Sequence, residues 1–167
     1  MIKRVEEKDL AACAAVIRDS FLTVADAFGF TAENAPRFAA FSTTEEKLLV
    51  QLTAEHRPMY AFFDSETPVG FYSLLLQDNN QCELSNLCVL PTHRHRGIGE
   101  DLLNHAVQTA REFNCIKMNI GIVEENTVLR SWYESFGFVH TGTQKFEFFP
   151  FTCGYMERDL LSRFLSR

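Results

Sequence analysis

Between an apolar run and the start of a helix-like pattern, the chain reads Val89-Leu90-Pro91-Thr92-His93-Arg94-His95-Arg96-Gly97-Ile98-Gly99. Those residue types in that place suit an anion. The first turn of a helix leaves backbone N–H groups without internal partners and carries a partial positive charge, so a phosphate or pyrophosphate is stabilised there. Gly97 and Gly99 remove the β-carbons that would hold an anion off the backbone, while Arg94 and Arg96 add charge and donors. Arg-x-x-Gly-x-Gly alone is a weak pattern, and a glycine-containing turn with solvated arginines is the plain alternative. A dinucleotide fingerprint is the lesser option, because its third glycine position is Leu102 and the preceding runs read as a meander instead of a βαβ unit.

A second constellation follows, Asn126-Thr127-Val128-Leu129-Arg130-Ser131-Trp132-Tyr133-Glu134-Ser135-Phe136-Gly137-Phe138. Asn126 stands where a helix would be capped, Tyr133 falls on nearly the same face two turns later, and Gly137 would end the helix. Taken together, the two stretches resemble the GNAT family of acetyl-CoA-dependent N-acetyltransferases. Val89, Pro91, Arg94, Gly97 and Gly99 meet the family's V-x-P-x-x-[RQ]-x-x-G-x-G, and Asn126, Tyr133, Gly137 and Phe138 meet its N-x-x-A-x-x-x-Y-x-x-x-G-F. The departures are Leu129 at a position where a small residue is usual and His95 where glycine is common; neither removes a required donor.

The resemblance implies acetyl-CoA as cosubstrate. Its diphosphate would lie on the backbone amides of Arg94, His95, Arg96, Gly97, Ile98 and Gly99. The pantetheine arm would pair like an extra strand with Leu87, Cys88 and Val89, and Asn126 would contact it. Tyr133 resembles the family's general acid, placed to protonate the departing sulfur; the alternative is a packed aromatic with its hydroxyl at the surface. The oxyanion would meet a backbone N–H near Leu87 or Cys88. For the general base the candidate is Glu83, which precedes Leu87 and Val89 by even steps and so is expected on the face that receives the thioester. Among apolar neighbours its pKa would be raised toward neutrality; an edge carboxylate facing solvent weighs equally. A covalent route through Cys88 is the minor mechanism, as no His adjoins it in sequence.

The elements that must position these groups can be read from periodicity. Ile2 to Val5 reads as a strand. Leu10, Cys13, Ala14, Ile17 and Phe21 mark a helix of about three turns, Thr23 to Phe41 reads as irregular, and Ser42-x-x-Glu45 or Thr43-x-x-Glu46 would box a second helix buried through Leu48, Leu49 and Leu52. Met59 to Phe63, Val69 to Leu76 and Cys82 to Leu90 form a three-stranded meander. Gly97 to Phe113 is a helix, Ile116 to Val123 a strand, Thr127 to Phe136 a helix, and Phe138 to Phe146 and Phe151 to Leu160 two strands. The expected fold is a mixed α/β (α+β) GNAT acyltransferase domain over 1–167. It has a mostly antiparallel sheet of six to seven strands with splayed middle strands, flanked by about four helices.

Composition narrows the function classes. The 167 residues are 46% hydrophobic, which suits one domain with one sizeable core. A net charge of −6 offers no broad basic face for nucleic acid, which also weakens a toxin acting on aminoacyl-tRNA. Apolar runs are too short to span a membrane and no secretory signal opens the chain, so the expected location is cytoplasmic. The five cysteines and five histidines lack ligand spacing, and no metal is expected. The expected reaction is transfer of acetyl to a primary amine of a small molecule or peptide by direct attack, with a noncatalytic acyl-CoA-binding or regulatory domain as the alternative. Phe28, Phe30, Phe38 and Phe41, with Phe146, Phe148, Phe149 and Phe151, would line an acceptor cavity, or else serve as core or as contact with a second copy in a homodimer. Asp26, Glu33, Glu124, Glu125 and Glu147 near its opening would favour an amine that arrives as a cation.

Overall fold

The computed structural model describes residues 1–161; positions 162–167 of the expected domain lie outside the described residues. Seven strands form one sheet in the order β1-β2-β3-β4-β5-β7-β6. They are β1 (Ile2–Arg4), β2 (Met59–Asp64), β3 (Thr67–Gln77), β4 (Gln81–Val89), β5 (Lys117–Val123), β6 (Val139–Lys145) and β7 (Thr152–Asp159). Every neighbouring pair is antiparallel except β4 and β5, which run parallel. The helices are α1 (Leu10–Phe28), α2 (Ala39–Ser42), α3 (Glu45–Thr53), α4 (Ile98–Glu112) and α5 (Thr127–Ser135). One face of the sheet carries α4 and α5, whose Leu102, Leu103, Ala106 and Tyr133 pack on Cys82, Leu84, Met118 and Ile120. The other carries α1 and α3, whose Leu10, Cys13, Ile17 and Leu48 pack on Met59, Ala61, Phe71 and Cys88.

Two differences from the sequence reading concern the first layer. Helix α1 does not stop near Phe21 but runs on to Phe28, because Ala25 continues the buried stripe and Gly29, at φ +73°, supplies the left-handed cap. Thr23 is accommodated by donating its hydroxyl to the Ser20 carbonyl. The expected capping boxes are also displaced. Ser42 and Thr43 donate to the carbonyls of Arg37 and Ala39, closing α2, and Thr44 accepts from the Lys47 N–H to cap α3. That places Leu48 in the core and leaves Leu49 38% exposed.

The middle of the sheet opens. β4 and β5 pair only at Gln81↔Lys117, Cys82↔Met118 and Glu83↔Asn119, so among the described residues β4 from Leu84 onward has no strand partner on that side. Within the same stretch, Phe71 pairs with Cys88 and Ser73 with Ser85, so Tyr72 alone opposes both Asn86 and Leu87. Asn86 takes φ +55°. This is a β-bulge, and it inverts the alternation of the strand: Cys82 and Leu84 face α4, whereas Cys88 faces α1.

Candidate active site

The opening between β4 and β5 leads to a cleft of about 420 Å³. Its walls are Ser20, Phe21 and Val24 of α1, Leu87, Cys88 and Val89 of β4, Asn126, Leu129, Trp132 and Tyr133 of α5 and its cap, and the turn from His93 to Gly99. Of the residues singled out from sequence, Leu87, Cys88, Val89, Arg94, His95, Ile98, Gly99, Asn126 and Tyr133 lie together in this lining. Arg96 and Gly97 are exposed on the same turn. Glu83 lies elsewhere.

The turn is built as an N–H concavity. His95 at φ +63° and Gly97 at φ +80° are both left-handed, flanking Arg96, and Gly97 is the residue preceding α4. Among the described residues none of the N–H groups of His95 to Gly99 donates to a backbone carbonyl; the helix ladder begins with Asp101 N–H on the Gly97 carbonyl. At Gly99 a β-carbon would stand 3.7 Å from Trp132 and 3.8 Å from Val89, an ordinary contact, so protein packing does not require glycine there. The space above it belongs to the cleft.

The two arginines divide their work, contrary to the expectation that both serve the anion. Arg94 turns inward: Nε donates to the Val89 carbonyl at 3.0 Å, one terminal nitrogen to Thr23 Oγ1 at 3.0 Å and the other to the Ser20 carbonyl at 2.9 Å. It ties the turn to α1. Among the described residues Arg96 has no side-chain partner and projects into solvent beside the concavity.

Tyr133 is buried, with its ring edge-on to Trp132 and Phe138 at centroid distances of 5.1 and 5.3 Å. Its hydroxyl has no hydrogen-bond partner among the described residues. Burial, with the Cys88 thiol beside it, pushes its pKa up, so the phenol keeps its proton. Cys88 is itself pushed up to about 12, first by burial. That makes it a poor thiolate nucleophile. The Asn126 side chain caps α5 by accepting from the Leu129 N–H at 3.2 Å, which leaves its amide N–H₂ for a ligand carbonyl.

The parity expected for Glu83 does not survive the bulge. Leu87 and Val89 pack toward the α4 layer, while Glu83, opposite in face to Cys82 and Leu84, points to the α1 layer. There it pairs across to Asn119, whose face of β5 also carries Gly121, the cross-strand partner of Tyr155. Burial raises its pKa, an effect that Arg57 partly opposes. That face holds a second cavity of about 230 Å³, bounded by Gly121, Val123, Tyr155, Cys153 and the aromatic rings of Phe21, Phe38, Phe149 and Phe151. The two cavities share Phe21, Val24, Asn126 and Leu129 as a common wall.

Sequence reasoning passed over Ser20, Val24 and Trp132 as site residues. The signal for the first two was the continuation of the α1 stripe beyond Phe21, which keeps residues 20 and 24 on one side of the helix. The Acetyltransferase (GNAT) family profile matches residues 25–138. The chain belongs to the GNAT acetyltransferase family. It is 28% identical over 110 residues to an uncharacterized N-acetyltransferase of Mycobacterium tuberculosis, an alignment covering 66% of this chain and 64% of the relative, so less than two thirds of that protein's length is spanned. In fold it is similar to the PaiA N-acetyltransferase from Thermoplasma acidophilum in complex with coenzyme A, with a TM-score of 0.82, 22% identity and coverage of 95% and 98% of the two chains. It is similar also to YncA of Salmonella typhimurium, a putative acetyltransferase solved with its cofactor acetyl-CoA, with a TM-score of 0.74, 20% identity and coverage of 96% and 93%. Among the described residues no group of three His, Cys, Asp or Glu side chains is placed to hold a metal, and no helix is long and apolar enough to cross a membrane.

Proposed function

We propose that this protein is an acetyl-CoA-dependent N-acetyltransferase acting on a primary amine. The observation that carries the reading is the junction itself: an N–H-lined turn and an unpaired strand edge lead to a buried tyrosine hydroxyl, and a second cavity opens beyond a shared wall. Acetyl-CoA, when bound, supplies the activated thioester. The backbone amides of His95 to Gly99, with Arg96, would hold its diphosphate, Leu87 to Val89 would pair with the pantetheine arm, and the Asn126 amide would donate to a pantetheine carbonyl.

Tyr133 holds its proton because it is buried, and an uncharged phenol facing the reacting sulfur is suited to give that proton to the departing thiolate. Glu83 works from the other side of the sheet. On the Tyr155 face it is positioned toward the acceptor, and it takes the proton of the attacking nitrogen through a water. The raised pKa brings the carboxylate nearer the pH at which it must accept a proton. Both groups argue against a purely acyl-CoA-binding domain, which needs the turn and strand edge but neither acid nor base.

Calorimetric titration with coenzyme A, followed by thiol release from acetyl-CoA with primary amines, tests the reading. Binding together with amine-dependent thiol release is expected, and Tyr133→Phe is expected to lower kcat by about 10²- to 10⁴-fold while retaining the binding heat. Absence of binding overturns the reading. Unchanged kcat in Tyr133→Phe removes the acid role alone.

A further inference from the structure

The second cavity distinguishes among acceptor amines by what lines it. Phe21, Phe38, Phe149 and Phe151 line it, joined by Val24 and Leu129 at the wall it shares with the cleft. Among the described residues no charged side chain belongs to this lining. Its polar groups are already disposed: the Tyr155 hydroxyl donates to Gln144 Oε1 at 3.2 Å, and burial keeps the Cys153 thiol neutral. A volume of about 230 Å³ exceeds the roughly 150 Å³ of an apolar cavity that admits benzene.

Of the five acidic residues expected to draw in a cation, Glu124 and Glu125 are engaged within the protein. Glu124 accepts from Arg130 at 3.0 Å and pairs with His140 at 2.8 Å, and it packs so closely on Gly154 that a β-carbon there would stand 2.3 Å from Oε2. Glu125 accepts the Thr152 N–H at 3.1 Å. Asp26, Glu33 and Glu147 face solvent. Two cations are held against the aromatic turn between β6 and β7, on which Glu147 also lies: Arg37 stacks over Phe148 at 4.1 Å, and Lys145 donates to the carbonyls of Phe146 and Phe149. An ammonium placed in this cavity would lose its hydration among the rings, and the carboxylates that act on its walls, Glu83 on Tyr155 and Glu125 on Cys153, stand outside the lining.

Resting on the N-acetyltransferase reading above, we propose that the acceptor is a primary amine carried on a compact apolar body, aromatic or branched aliphatic, seated in this cavity with its nitrogen at the shared wall. The body fills space lined by rings, where edge-to-face and stacked contacts already connect Phe30, Phe38, Phe149 and Phe151. The nitrogen then emerges beside Asn126 and Leu129, where the cleft begins. It reacts as the neutral amine, forming the new C–N bond as the C–S bond breaks; the nitrogen's proton passes to Glu83 and the thiolate receives one from Tyr133.

The test uses the full chain and acetyl-CoA with phenethylamine, isoamylamine, ethanolamine and spermidine, read by thiol release. The first two are expected to exceed the others in kcat/KM by about tenfold or more. Phe149→Asp, which places a carboxylate in the second cavity and touches no residue of the turn, is expected to retain coenzyme A heat by calorimetry while narrowing or reversing that ratio toward spermidine. With coenzyme A bound, preference for spermidine or ethanolamine, equal rates across the panel, or no turnover of any of them overturns the apolar acceptor. Loss of coenzyme A binding by the wild-type chain overturns the underlying reading instead.

Discussion

The turn before α4 and the cavity beyond the shared wall are two ways of making a site. The turn is made of backbone: consecutive N–H groups of His95 to Gly99, aimed by two left-handed residues, within one short stretch of chain. The cavity is made of side chains from α1, the segment leading to α2, β5, β7 and the turn before it, residues brought from as far apart as Phe21 and Tyr155. On the proposed function, the backbone site would hold what the members of a family share, a diphosphate on a common carrier. A side-chain site varies with each ring and charge, and it decides which amine is served. The difference predicts that substitutions in the two regions separate binding of the carrier from choice and activation of the acceptor.

The largest separation is expected at Glu83. Glu83→Gln removes the proposed base while leaving the turn untouched, so kcat/KM for amines should fall by about 10²- to 10⁴-fold with coenzyme A affinity unchanged. The pH behaviour sharpens it. Because burial raises the folded-state pKa, Glu83 contributes to the acidic limb of kcat at a pH above its ordinary value, and Gln removes that contribution while leaving in kcat/KM the limb set by protonation of the amine itself. The stability sign runs the other way from a salt-bridged carboxylate. The folded state binds the proton more tightly than the unfolded one, so stability is greatest below the unfolded pKa and declines as pH rises toward the folded value. Glu83→Gln should therefore melt at a higher temperature than wild type at neutral pH, with less difference at low pH. A lower melting temperature at neutral pH, or full activity, assigns Glu83 to structure.

What was legible follows the same division. The place of the turn was readable because Gly97 and Gly99 mark it at fixed spacing between strand and helix, and the neighbourhood of Asn126 and Tyr133 because one helix joins them. The strand order along the chain was readable from alternation and turn residues. The face of Glu83 was not, since the parity argument assumes an uninterrupted strand and the bulge at Asn86 and Leu87 reverses it. Asn tolerates the left-handed conformation, which is the local trace the bulge leaves in the sequence. The inward turn of Arg94 was equally hidden, because its partners Ser20 and Thr23 lie more than seventy residues earlier. The engagement of Glu124 and Glu125 was hidden for a related reason: their contacts with Arg130, His140 and Thr152 are not revealed by composition, while Asp26, Glu33 and Glu147 face solvent.

The next test separates the two arginines of the turn. Arg94→Ala deletes hydrogen bonds to the Val89 and Ser20 carbonyls and to Thr23, and a charged donor bonded in a half-buried site contributes more than a solvated one. A loss of about 2–3 kcal/mol in unfolding free energy is expected, measured by denaturant titration, with weakened coenzyme A binding as the turn loosens from α1. Arg96→Ala should leave stability within about 0.5 kcal/mol of wild type and weaken coenzyme A binding in a salt-dependent way. If Arg94→Ala keeps its stability and loses only affinity, Arg94 is a phosphate ligand and the division between the arginines is wrong.

The smallest effect concerns His95, the one non-glycine residue of the turn from Arg94 to Gly99 held at positive φ. A left-handed residue with a β-carbon is strained by roughly 1–2 kcal/mol, and glycine relieves that strain while adding entropy to the unfolded chain. His95→Gly should then gain up to about 1 kcal/mol, a rise in melting temperature of about 2–4 °C for a domain of this size. If the turn binds through its backbone, coenzyme A affinity should be retained, because the N–H concavity persists without the imidazole. A several-fold loss of affinity with the same gain in stability would mean that the exposed ring itself contacts the carrier. The turn would then share the side-chain character of the acceptor cavity, and the contrast between the two regions would weaken at the residue where it is easiest to measure.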